Sequence, residues 1–235
     1  MIPIGDEIRS RRVPLVTYAL IAINALAFLF ELSLGRELDA FLMSFGAVPA
    51  RITSLSSSPL VYITLLTSIF LHGGWMHLIG NMLYLGIFGD NVEDAMGRGW
   101  YLLFYLAAGI VAGLAQVAIA PSASMPAIGA SGAIAGVLGV YLVLYPTAPV
   151  RVLIPIFFFI RMARLPAVLV LGMWFVIQLF NGALTLGVRT MSTGGVAWFA
   201  HIGGFASGLL IGAALRIART PRRPQPPDPL SYRGW

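Results

Sequence analysis

The chain has 235 residues, 58% of them apolar and 10% charged, with a net charge of +6 and a mean hydropathy of +0.87. So few charges cannot cover a water-exposed surface, where about 25% is usual, and so high a hydrophobicity excludes a disordered chain. All 15 basic residues are Arg, and there is no Lys and no Cys, which removes lysine bases, disulfides, thiolate metal sites and cysteine nucleophiles.

In chain order, Arg9, Arg11 and Arg12 precede the uncharged stretch 13–30, with no convincing cleavage site after it, so a retained first span is expected. Further gaps between charges cover 52–89, 99–150, 165–188 and 190–215. A membrane helix needs about 20 apolar residues, which predicts six spans near 14–34, 74–95, 100–119, 129–146, 165–186 and 195–216. With the N-terminus inside, twelve Arg lie inside, and three (Arg36, Arg51 and Arg189) lie outside. That split is the one the positive-inside rule favours, and it accounts for the Arg residues better than nucleic-acid binding does. The stretches 59–71 and 152–160 are too short to cross and are expected to lie in the interface or to re-enter. Residues 35–58 form a long external connection. A domain over 1–216 is expected to end in a disordered, Pro- and Arg-rich cytoplasmic tail over 217–235. The expected fold class is an all-α, multi-pass membrane protein.

The informative residues are the polar ones inside the apolar stretches, where an ionisable group is costly. In HGGWMHLIGN, His77 and Asn81 are four apart and share one helix face, while His72 falls at the mouth of that helix. Their side chains can donate hydrogen bonds to one point, or simply bond between helices. Gly129-Ala-Ser131-Gly132 follows a turn bounded by Pro121 and Pro126 and opens the fourth span. There Ser131 meets free backbone N–H groups and the positive helix end, suiting a nucleophile whose carbonyl substrate becomes an oxyanion. The plain alternative is a helix-capping serine. His201 lies three residues before Gly204 on the stripe Gly204, Gly208, Gly212, and the fourth span carries its own stripe of Gly132, Gly136 and Gly139. Small residues at such spacing let helix backbones approach closely, so two facing stripes would bring Ser131 within reach of His201. No His-Glu-x-x-His is present for a zinc protease, and the acids Asp90, Glu93 and Asp94 cluster at one span end. A Ser–His pair is the catalytic set the residues permit. No metal or other cofactor is expected.

Together, His72-x4-His77-x3-Asn81, Gly129-x-Ser131-Gly132, Ala200-His201-x-x-Gly204-x3-Gly208 and Gly89-x3-Glu93-x3-Gly97 resemble the rhomboid family of intramembrane serine proteases over about residues 13–216. The resemblance implies a six-helix bundle around a cavity open to the outside, with the 35–58 connection as a half-embedded external loop. It implies Ser131 as nucleophile and His201 as general base. The oxyanion donors would be the Ser131 N–H, the His77 ring and the Asn81 amide. His72, Gly129, Gly132, Gly204, Gly208 and Glu93 would be supporting residues, and the fifth span with Trp174 a substrate gate. The partners it implies are the lipid bilayer and transmembrane protein substrates, cut near the external face. The inside-positive pattern suits a prokaryotic plasma membrane with both termini cytoplasmic. Two departures stand out: Ala135 occupies the place of an aromatic residue that packs under the catalytic His in some members, and residues 45–50 read Phe-Gly-Ala-Val-Pro-Ala where some have a Trp-Arg pair. The rival readings are a catalytically silent protein that holds client helices and a small-solute transporter.

Overall fold

The computed structural model describes residues 1–8, 10–54, 58–156, 159–186 and 197–218. Six longer helices occupy the six expected span positions to within a few residues: α1 (Leu15–Ser33), α5 (Trp75–Met96), α6 (Arg98–Ile119), α7 (Ser131–Leu144), α8 (Ala167–Leu186) and α9 (Trp198–Ala218). Among the described residues, α1, α6, α8 and α9 are long and apolar enough to cross a membrane. A fifth candidate is the segment Pro59–Phe70 joined to α5 through an 80° bend. At about 1.5 Å per residue, the 14 residues of α7 reach about 21 Å. Most of the expected 217–235 tail, and Arg9, Arg189, Arg219, Arg222, Arg223 and Arg233 of the charge count, lie outside the described residues.

The first helix is apolar on its outer face and carries polar residues on its buried one. On α1 the buried residues are Thr17, Leu20, Asn24, Phe28 and Glu31, recurring every three or four positions as one face of a helix does. Three of these five are polar, whereas Leu26 and Leu29 of the same helix are exposed. That inversion suits a lipid surround.

α7 is the axis of the bundle, with ten buried residues from Gly132 to Tyr141. It packs on α9 through the two glycine stripes. A Cβ on Gly204 would collide with the carbonyl oxygen of Gly132, and one on Gly208 with that of Gly136. From the other side, a Cβ on Gly139 would meet the backbone of Phe205 and Gly208. On α6, Ala112 and Ala108 close in on Gly132 and Gly136. The contact is backbone against backbone, which no larger residue permits.

The other end of α1 is tied down by Glu93. Pro14 precedes α1 and offers no side-chain cap, so the first N–H groups of the helix need an outside acceptor. Glu93, 3% exposed on α5, accepts from the Val16 N–H at 3.1 Å, the Thr17 N–H at 2.8 Å and the Thr17 hydroxyl at 2.9 Å. A carboxylate there also meets the positive end of the helix. Gly89, one turn earlier, leaves room for the Tyr101 hydroxyl and Thr17.

The expected external connection contains two short helices, α2 (Leu38–Phe45) and α3 (Pro49–Ile52). It packs on the Pro-bounded turn ahead of α7. Ala47 and Ala127 exchange backbone hydrogen bonds at 3.1 and 2.8 Å, Ala50 donates to Ala123 at 3.0 Å, and the Thr53 hydroxyl donates to Pro121 at 2.9 Å. The 59–71 stretch is a broken run of 3-10 turns around α4 (Thr64–Thr67).

One element departs from the all-α expectation. Within the region where 152–160 reads as an interfacial or re-entrant stretch, β2 (Pro149–Ile156) and β3 (Phe159–Pro166) pair as antiparallel strands. The N-terminal strand β1 (Ile2–Asp6) completes an antiparallel sheet in the order β1-β2-β3. The physical reason is period two: Val150 and Val152 are fully buried and Arg151 between them is exposed, the alternation of a half-buried strand. The sheet lies at the end of α7 remote from Ser131. Asp6 accepts there from the Tyr141 hydroxyl at 2.5 Å and the Asn91 amide at 2.9 Å, and burial holds its carboxyl above the ordinary range.

A Gly208→Ala substitution is expected to destabilise the fold by about 1–3 kcal/mol through overpacking. Gly80→Ala, whose Cβ meets open space, is expected to cost nothing. Thermal unfolding of both variants in detergent checks the difference. Glu93→Ala is expected to lose about 2–3 kcal/mol by the same measurement, since the buried N–H groups of α1 lose a charged acceptor.

Candidate active site

Ser131 is the first residue of α7, after the cap residue Ala130. The cap position thus falls on Ala130, which has no side-chain group to cap with, and the Ser131 hydroxyl one residue later turns to a histidine instead. Its Oγ lies 2.7 Å from Nε2 of His201, near the start of α9. The glycine seam sets this distance, because Gly132 and Gly204 sit directly behind the two residues and touch through the backbone.

The other ring nitrogen of His201 is also engaged. Nδ1 lies 2.8 Å from Oε1 of Gln178 on α8, and both side chains are buried. Trp174, one turn earlier on α8, has its ring 5.9 Å from the imidazole, and Trp198 stands edge-on at 6.2 Å. These three residues flank the ring where Ala135 provides no aromatic support.

His72, His77 and Asn81 form a second group. The Gly73 N–H donates to Nδ1 of His77 at 3.4 Å, which leaves Nε2 of the neutral ring as the N–H donor. That edge lies against Gly129: a Cβ there would come within 2.7 Å of Nε2. Gly129 also has φ +122°, a backbone conformation glycine alone adopts freely, and its N–H donates to the Ser68 carbonyl at 2.9 Å. The Asn81 amide is 3.0 Å from Nε2 of His72, and the two histidine rings are 5.1 Å apart. Beside Ser131 runs a small cleft walled by Ala47, Ile69, Ala112, Ile128 and Ala200.

A model of the Rhomboid domain family matches residues 59–218. The chain belongs to the rhomboid family. It is 40% identical over 130 residues to "Rhomboid protease GluP" of Bacillus subtilis, covering 55% of this chain and 24% of that protein. It is 33% identical to "RHOMBOID-like protein 4" of Arabidopsis thaliana, over 65% of this chain and 34% of the relative. With "Rhomboid protein 1, mitochondrial" of Saccharomyces cerevisiae it shares 30% identity, over 64% and 41%. The chain thus spans less than half the length of each of these relatives. Family membership and the apolar helices make it an integral, multi-pass membrane protein.

The rhomboid motif residues fall into four places. Ser131 and His201 meet directly, His72, His77 and Asn81 gather on the Gly129 side, and Gly132, Gly204 and Gly208 form the seam. Glu93 lies elsewhere: it is twelve residues beyond Asn81 on α5, about 18 Å along the helix, and it holds α1. Two buried polar residues that bond directly to the site's histidines are not evident from the sequence. Gln178 was hidden in an apolar span, although its spacing of four from Trp174 was a usable signal. Glu31 reads as a span edge but is 1% exposed, and both its carboxylate oxygens accept the His72 N–H at 3.2 Å. It ties α1 to the segment that carries His72.

Gly129→Ala is expected to force both the strained backbone and the His77 ring to move, at a cost of about 1–2 kcal/mol from the backbone alone. A thermal unfolding midpoint equal to that of the unaltered protein would exclude this account.

Proposed function

We propose that the chain is an intramembrane serine endopeptidase that cuts transmembrane segments of membrane-protein substrates near the external face. The observation that carries this reading is the 2.7 Å approach of Ser131 Oγ to His201 Nε2 at a helix N-terminus. Membership of the rhomboid family, and a relative whose name is that of a rhomboid protease, support it.

In this mechanism a substrate helix enters from the lipid beside α8, past Trp174, and unwinds locally. His201 Nε2 takes the Ser131 proton as Oγ attacks the carbonyl carbon. The oxyanion that forms is held by the Ser131 N–H, the Nε2–H of His77 and the Asn81 amide, which has a second N–H beyond the one directed at His72. His201 then protonates the departing amine. Water attacks the acyl ester, giving a proton to His201, which returns it to Ser131 as the acid product leaves. Gly129, Gly132, Gly204 and Gly208 act by allowing the close approaches, and His72 by holding Asn81.

The helices α1, α5, α6, α7, α8 and α9 are the six spans of one domain over 1–216, with residues 35–58 half-embedded outside and both termini cytoplasmic, as the distribution of Arg favours. A prokaryotic plasma membrane suits that arrangement.

Reconstitution with a panel of single-span substrates, read by mass spectrometry, tests the proposal. Wild type is expected to cleave and Ser131→Ala to be inactive. Asn81→Ala should lose about 10²–10³ in rate and remain measurable. Equal cleavage by wild type and Ser131→Ala would remove the assignment. Failure of a fluorophosphonate to label Ser131 would favour a silent client-binding protein, and solute flux that survives Ser131→Ala would favour a transporter. Because only a neutral imidazole accepts a proton, activity should fall on acidification, and a rate that does not fall at any acidic pH at which the protein stays folded would exclude a histidine base.

A further inference from the structure

We infer that Gln178 is a positioning residue for this reaction: its amide oxygen holds the His201 ring in the tautomer that leaves Nε2 free to accept the Ser131 proton. The inference rests on the reading of Ser131 and His201 given above and adds a third member to that pair.

A neutral imidazole has one N–H and one lone pair. Oε1 of Gln178, 2.8 Å from Nδ1, can only accept, so the ring proton sits on Nδ1. The lone pair is then on Nε2, 2.7 Å from the Ser131 hydroxyl. The opposite tautomer would aim an N–H at Oγ and would leave both Nδ1 and the Gln178 oxygen without a donor, in a place where an unmade bond is costly. Gln178 is 6% and His201 8% exposed, so little water competes for these atoms.

α8 is built to keep Gln178 in place. Phe175 stacks on Phe205 of α9 with ring centroids 4.3 Å apart and planes 16° from parallel. Trp174, four residues before Gln178, rests against both His201 and Phe205. One face of α8 therefore supplies both a wall for the imidazole and an acceptor for its N–H. The groups that face His201 from other elements are His77 on α5, which is near enough to act on it electrostatically, and the uncharged Ser131 on α7. On the α6 side the neighbours of α9 are Ala112 and Ala115. The buried acids Glu31 and Glu93 are bonded elsewhere, to His72 and to the start of α1.

The test uses the full chain in detergent, with Gln178→Met, which keeps length and removes the acceptor, and Gln178→Glu, which keeps the acceptor. Gln178→Met is expected to lower kcat about 10- to 100-fold, as a misplaced catalytic group does, with KM changed by less than about threefold. Gln178→Glu should restore most of the rate per folded molecule, with a lowered thermal unfolding midpoint because its carboxylate is buried. Imidazole ¹⁵N spectra, simple for a chain with three His, should give His201 as the Nδ1–H tautomer in wild type and shift it toward Nε2–H in Gln178→Met. The signal is assigned by its loss in His201→Asn. If Gln178→Met does not fold, Gln178→Ala takes its place in both measurements. Unchanged kcat, or the same His201 tautomer with and without Gln178, overturns the inference. The tautomer is read without turnover, so a wild type that cleaves no better than Ser131→Ala would defeat the proteolytic reading while the spectra still decide the role of Gln178.

Discussion

Everything near Ser131 depends on the distance between two helix backbones. α7 and α9 touch where carbonyl oxygens of Gly132 and Gly136 fill the space a side chain would occupy on Gly204 and Gly208. In lipid there is no hydrophobic force between helices, because the solvent is as apolar as the side chains, so close packing and polar bonds must hold them. A backbone seam has few internal degrees of freedom, unlike a contact between long side chains. It therefore fixes the separation of residues beside it: Ser131 directly precedes Gly132, and His201 lies three residues before Gly204. Bulkier residues would still pack as helices, but they would part Oγ from Nε2.

A second set of constraints fixes the ends. Glu93 supplies the acceptors that Pro14 cannot, and Glu31 holds the segment ahead of α5. The connection over 35–54 pairs with the turn before α7 through Ala47 and Ala127. Each is a buried polar contact between segments far apart in sequence. Such contacts cost little once satisfied and much when broken. They let a loop that runs outside the bundle determine where Ser131 sits, and they keep Glu31 and Glu93 off the outer surface.

Charge spacing marked the long helices, because a span must exclude charge along its whole length. The glycine stripes and the pairing of Ser131 with His201 were legible for a related reason: both follow from helical periodicity, which is local. What stayed hidden was determined by tertiary contact. Gln178 and Glu31 acquire their roles only from the neighbours they meet, and the first is ordinary in composition while the second lies beside a span boundary. The strand β1 is five residues long and has no partner until residue 149, so nothing near it in sequence signals pairing. The strands β2 and β3 were legible in their alternation but were obscured by a length argument suited to membrane helices.

The choice of an amide rather than a carboxylate against His201 follows from the medium. In soluble triads the histidine is oriented by an aspartate that also stabilises the imidazolium. A carboxylate at the position of Gln178 would be a buried charge facing a neutral ring whenever the site is at rest, and burying an uncompensated charge costs several kcal/mol, in a bundle already surrounded by hydrocarbon. The amide oxygen keeps the directional half of the aspartate's work and gives up most of the electrostatic half. On the proposed mechanism the imidazolium exists only between proton transfers, so its weaker stabilisation slows turnover without unsettling the resting fold. On the proposed function the substrate lies in the same membrane and would arrive by lateral diffusion, so a slow and stable site is a workable solution. By this argument, orientation is the part of a triad that a membrane-embedded histidine retains, and Gln178 provides it without adding charge.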